Sequence, residues 1–165
     1  MGVAIDAARA VELYRLAAEQ GDGPAQDMLS WLLLDGEIMP ADLGEAHRWA
    51  LAAAENGVAA AMTRLGMLHH NAIGVPRDPA VAAQWWRRGA ALGDPDAQAM
   101  LGAAYHLGSG VPHDESIALT WLLRGRAGGS TLAAPFLGPV RAALPPEAIA
   151  EAEHRAKTPL PDAAP

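Results

Sequence analysis

Cysteine is absent from the 165 residues. Disulfides, thiolate nucleophiles and cysteine-bound zinc are therefore excluded. Lysine is nearly absent too: Lys157 stands alone, and no glycine-rich loop leads into it, so a phosphate cradle of the P-loop type is missing. No stretch approaches the roughly 20 apolar residues that cross a bilayer. Residues 1–10 lack the basic-then-apolar pattern of a leader. Positive charge is scarce, with 12 basic against 19 acidic residues and a net charge of −7. A nucleic-acid backbone or an anionic membrane surface is thus a poor partner. The few serines and threonines form no Gly-x-Ser-x-Gly elbow and have no matching histidine–acid pair. No active site is visible, and no cofactor is called for.

What the chain does have is a period. Asp6, Asp42, Asp78 and Asp114 stand 36 residues apart, as do Gly21, Gly57, Gly93 and Gly129. Ala10, Ala46, Ala82 and Ala118 form a third series, and Leu13, Trp49, Trp85 and Trp121 a fourth. Four residue types held in register without an insertion define a repeat array. Such arrays stack one unit on the next and build extended surfaces more readily than closed pockets.

Within one unit the local chemistry reads as a helical hairpin. Ala61, Leu65 and Leu68 recur at helical spacing over residues 60–70, with Gly66 allowing close approach. The segment Gly74-Val75-Pro76 breaks that helix, and Asp78 followed by Pro79 opens a second one, running to about Leu92. Gly93 closes it in the left-handed conformation. The expected organisation is all-α: one solenoid over 1–157, with a half repeat at 2–21 and full repeats at 22–57, 58–93 and 94–129. A degenerate repeat and capping helix follow at 130–157, where Pro135 and Pro139 spoil the first helix, and a disordered tail spans 158–165. Asp42, Asp78 and Asp114 are read as helix caps. Trp49, Trp85 and Trp121 are read as core, and Trp86 as packing.

The pattern Ala97-x-x-x-Leu101-Gly102-x-x-Tyr105, then Gly108-x-Gly110-Val111-Pro112-x-Asp114 and Ala118-x-x-Trp121, resembles the Sel1-like repeat, as does Trp85-Trp86-Arg87-Arg88 leading to Gly93. The resemblance covers about residues 2–129. It implies an α/α superhelix related to tetratricopeptide repeats, acting as a scaffold for protein–protein interaction, commonly in bacterial signalling, envelope or host-contact processes. Some cysteine-rich members are linked to β-lactam binding or hydrolysis, a branch that a cysteine-free chain does not join.

In arrays of this relationship the first helix of each hairpin lines the concave face. Positions there that vary between copies are free to specify a partner. They are Asp27, Trp31 and Leu34, then Thr63, Met67 and His70, then Ala99, Ala103 and His106, each set spaced i, i+4, i+7. Trp31 has two readings, a binding anchor or a cover over the neighbouring loop at 35–40. The expected function is a non-catalytic scaffold holding a protein or peptide on that face. The alternative is a self-associating module whose stack end exposes Val3, Ala10 and Val11.

His70 and His106, one repeat apart, raise the question of zinc. Leu34 occupies the matching place in the first copy and no third ligand is evident, so no metal ligand is assigned. The localisation expected is cytoplasmic; because residues 2–6 match the middle of a repeat, a longer natural chain with a leader would make it periplasmic.

Overall fold

A computed structural model describes residues 2–161, with the side chains described from Asp6 onward. The described residues form helices and no strands: α1 (Gly2–Glu19), α2 (Gly23–Asp35), α3 (Leu43–Glu55), α4 (Ala59–Asn71), α5 (Pro79–Ala91), α6 (Pro95–Leu107), α7 (Glu115–Ala127), α8 (Ala134–Ala142) and α9 (Pro146–Lys157). First helices begin at residues 23, 59 and 95, second helices at 43, 79 and 115, so the 36-residue period holds in the backbone. Each of these six helices is 13 residues long.

The caps explain that uniformity. Asp42 accepts from the Glu45 amide at 2.8 Å, Asp78 from Ala80 and Val81 at 3.0 Å, and Asp114 from Ile117 at 2.9 Å. Asp6, the first member of that series, lies inside α1 and caps nothing. At the other end of α1, α3, α5 and α7 the chain closes with the same six-residue bond, from Asp22 to Ala17, Val58 to Ala53, Asp94 to Gly89 and Ser130 to Gly125, all between 2.9 and 3.1 Å. This is a Schellman closure, and its left-handed position is filled each time by the periodic glycine.

The described chain divides between Arg77 and Asp78 into two compact units. In the first, α1 packs on α2, α2 on α3 and α3 on α4. Its core joins Ala18, Ala25, Leu29, Leu33 and Ala46, with Trp49 and Met39 packed against them. Buried Gln26 reaches back to the Ala18 carbonyl at 3.1 Å and accepts from Asn56 at 2.8 Å, satisfying polar groups inside the turn. Arg15 of α1 meets Glu45 of α3 at 2.7 Å. That hydrogen bond holds the Glu45 carboxyl below its ordinary range despite partial burial, and the Trp49 indole N–H donates to the same oxygen.

In the second unit α5 packs on α6, α6 on α7, and both α8 and α9 on α7. One core cluster gathers Ala82, Ala83, Trp86, Ala90, Ala97 and Leu101. Another joins Ala99, Leu119, Leu122, Ala133, Leu137, Val140 and Ala152 beneath α8 and α9. Gln98 donates to the Ala90 carbonyl at 3.2 Å, the same bridge that Gln26 makes two repeats earlier. Gly110 shows why the loop keeps its glycine. It has φ +74, and a Cβ there would run into the Pro79 carbonyl.

One expectation changes. The periodic tryptophans are half-buried rather than core, and Trp86 is the large side chain fully buried at 1% exposure. Neighbours on a helix point about 100° apart. The position held by Ala50, Trp86 and Leu122 therefore faces inward, while Trp85 and Trp121 sit at the rim under the guanidinium groups of Arg88 and Arg124. Arg124 donates to the carbonyls of Arg155 at 2.7 Å and Thr158 at 2.6 Å. Residues 162–165 lie outside the described residues.

Candidate functional site

On α2 and α4 the varying positions form an uneven surface. Asp27 is committed to a structural bond, its carboxylate 3.1 Å from Arg64 of α4. The bridge ties a side chain of α2 to one of α4. Four residues beyond Asp27, Trp31 is 43% exposed, and at the equivalent place on α4 Met67 is 37% exposed. Leu34 is half-buried against the core of the first unit. Thr63 is half-buried, its hydroxyl donating to the Ala59 carbonyl at 3.3 Å. His70 is half-buried at the end of α4. Beyond Trp31 the loop is acidic and exposed at Asp35 and Glu37, and Ile38 is 50% exposed. An aromatic ring and a thioether thus stand in one register, with Asp35 and Glu37 following Trp31 in the chain.

The stripe does not continue as open surface on α6. Ala99 and Ala103 are buried, at 1% and 4% exposure. Ala99 belongs to the core that α8 and α9 complete, and α8 packs against α6 itself. Repeat register predicts a free face at these two residues, but Ala99 lies against Gly125 of α7 and inside the core cluster that α8 and α9 share. His106, the third member of that set, is half-buried with its ring edge-on to Phe136 at 6.1 Å.

His106 has partners that repeat spacing does not reveal. Its Nδ1 lies 2.8 and 3.0 Å from the two carboxylate oxygens of Glu115, and His113 Nε2 lies 3.1 Å from Glu115 Oε1. One ligand atom from each of these three residues falls within 4.8 Å of the others. The signal was present in the sequence as His113-Asp114-Glu115, where Asp114 draws attention as the cap and hides the flanking pair.

Two further histidines meet inside the first unit. His47 of α3 and His69 of α4 stand edge to face at 5.6 Å. Burial, and then the neighbouring charge of His69, lower the His47 pKa from the ordinary 6.5. His47 Nε2 and His69 Nδ1 are buried without a hydrogen-bond partner, and for His47 this agrees with the lowered pKa.

A separate apolar groove of about 630 Å³ lies between α1 and α2, lined by Ala10, Leu13, Tyr14, Ala17, Pro24 and Met28 among others. Leu13 and Leu16 are each 52% exposed on α1, while Ala10 and Val11 are half-buried. The side chain of Val3 lies outside the described residues. No helix among the described residues is long and apolar enough to cross a membrane.

Comparison with known proteins agrees with this architecture. The Sel1 repeat family model matches residues 1–22, 23–58, 59–94 and 95–130, one residue out of phase with the period drawn from glycine. No curated protein matches the chain. Among solved structures, a Sel1 repeat protein from Oxalobacter formigenes is 34% identical, with a TM-score of 0.70 over 79% of this chain and 98% of that one. A protective antigen of uropathogenic Escherichia coli with an SLR fold is 30% identical with a TM-score of 0.76, matched over 88% of this chain and 32% of its own. The cysteine-rich protein B of Helicobacter pylori shares the fold at 23% identity and a TM-score of 0.64, over 82% of this chain and 97% of that one. Helix lengths, caps and closures repeat at 36 residues, four family repeats cover them, and the chain belongs to the Sel1 repeat family.

Proposed function

We propose that the chain is a non-catalytic scaffold that binds a protein or peptide segment on the first-helix face formed by α2 and α4. Sel1 repeat proteins are generally protein-interaction scaffolds. The observation that carries the reading is the joint exposure of Trp31 and Met67 at one repeat position, where Ala103 and Pro139 stand in later copies. The frame does not require large apolar side chains there. A rigidly held tryptophan is a common anchor, and a methionine adapts its shape to the occupant. Asp35 and Glu37 at the edge favour a segment with apolar residues flanked by basic ones. Asp27 acts by fixing α2 against α4. Leu34, Thr63 and His70 form the margins, and His106, on α6 of the second unit, is not assigned to this face.

The test is affinity capture from the native host's lysate with wild type and the Trp31→Ala/Met67→Ala variant, read by mass spectrometry. A protein retained by wild type and lost from the variant supports the reading, provided the melting curves coincide. Equal retention by both forms overturns it.

A second reading has its own observation. Leu13, Leu16 and Tyr14 leave an apolar face on α1, which favours self-association through that end. Light scattering would then show a mass that rises with concentration and reverts on Leu13→Asp.

A further inference from the structure

We propose that His106, His113 and Glu115 form a binding site for a zinc-class divalent cation, with the fourth coordination position open to water. The inference is independent of the binding face on α2 and α4.

The donor set comes first. Two imidazoles and one carboxylate suit zinc and its first-row neighbours, whereas calcium and magnesium demand oxygen donors. Three protein ligands with a fourth position open is a familiar arrangement for zinc. The carboxylate lies between the two rings, at 2.8 Å from His106 Nδ1 and 3.1 Å from His113 Nε2. Ligands on a tetrahedral zinc stand roughly 3.3 Å apart, given metal–ligand bonds of about 2.0–2.2 Å. The two histidine–carboxylate distances are therefore within about half an ångström of a chelating set, and all three donors lie within 4.8 Å of one another. Binding needs the His106 proton on Nε2 and the His113 proton on Nδ1, so that the nitrogens facing the carboxylate are free to act as ligands. His113 is exposed, so its ring can turn onto the cation.

The backbone that carries the three is fixed by bonds unrelated to them. Gly108 closes α6 in the left-handed conformation, Ser109 donates to Ala104 at 2.9 Å, and Asp114 donates to Tyr105 at 3.1 Å. The loop of the first repeat makes the equivalent bond from Asp42 to Leu33 at 3.1 Å. The frame thus supplies a rigid platform wherever it occurs, and the other copies serve as an internal control. At the places of His106, His113 and Glu115 the second copy has His70, Arg77 and Pro79, and the first has Leu34, Ala41 and Leu43. In the second copy Arg77 donates to the His70 carbonyl at 3.2 Å, so that loop forms with an arginine and a proline in the places of His113 and Glu115. Folding of the loop does not demand the three ligand residues. They converge in one copy alone. Each could be placed singly by helix-end electrostatics, histidine at the end of α6 and glutamate at the start of α7. That tendency does not account for His113, which lies in the loop.

The test titrates the full untagged chain with zinc chloride by calorimetry, beside His113→Ala, Glu115→Gln and a control at exposed His154, His154→Ala. One zinc per chain with a micromolar dissociation constant is expected, weakened about 100-fold or more in the first two variants and unchanged in the control. Melting curves in chelator should coincide for all four. X-ray absorption of the zinc-loaded wild type reads the donor set without any substitution, and two imidazole nitrogens with two oxygens are expected. Absence of stoichiometric binding, equal affinity in His113→Ala and Glu115→Gln, or a donor set without two imidazoles would overturn the site.

Discussion

The α2–α3 and α6–α7 hairpins share helix lengths, aspartate caps and loop bonds, yet they fill the contact between their helices in opposite ways. In α6–α7 the first helix gives Gly102 and the second gives Leu122. A Cβ on Gly102 would stand 2.7 Å from Leu122 Cγ and 2.9 Å from the Ala118 carbonyl. In α2–α3 the same register holds Ser30 and Ala50, both fully buried. The smaller residue on the second helix goes with the larger one on the first. The frame therefore fixes the separation of the helices and leaves the division of volume open. Alanine would raise helix propensity at Gly102 by about 1 kcal/mol, and overpacking costs more than that returns.

This comparison can be broken most sharply at Gly102. Gly102→Ala should destabilise by about 3 kcal/mol in urea melts. Adding Leu122→Ala transplants the α2–α3 solution, and the double variant should be more stable than the sum of the single effects by about 1–3 kcal/mol. Strict additivity would show that the two hairpins do not share one volume rule. The converse change is milder. Ser30 Oγ is buried without a partner, so Ser30→Ala should gain about 1 kcal/mol, measured in the same melts.

A third difference is electrical and smaller. His47 on α3 occupies the place of Leu119 on α7, which is fully buried. The folded-state pKa of His47 lies below 6.5. The unfolded chain thus binds the proton more readily, and stability is lost as the pH falls through 6.5 toward the folded value. His47→Leu should flatten the stability profile between about pH 7 and pH 5 relative to wild type. An unchanged slope would mean that the His47–His69 contact opens freely in the native state.

The frame was legible because period and local chemistry agree. Asp42, Asp78 and Asp114 cap as their positions demand, and Gly93 closes its helix at φ +87. Trp86 packs as its reading holds, whereas Trp85 reads as deeper than it is, because recurrence marks a shared position and says little about depth. The buried place is held by alanine, tryptophan and leucine in turn, so no single residue type announces it. Ala99 and Ala103 are buried although their positions vary between copies, because variation along a register marks freedom of residue type and says nothing of exposure. The partners of His106 were sought one repeat away, whereas the chain folds them in from seven and nine residues ahead. Gln26 and Gln98 went unread because the middle copy has Met62 there.

The central claim is that the frame carries the fold while side chains outside it carry binding. Site-specific photocrosslinking tests this most directly, with a benzophenone side chain at Trp31 or, as a control, at exposed Arg48 on α3. The account predicts that the captured partner crosslinks at position 31 and not at position 48. Crosslinks at 48, with none at 31, would contradict it.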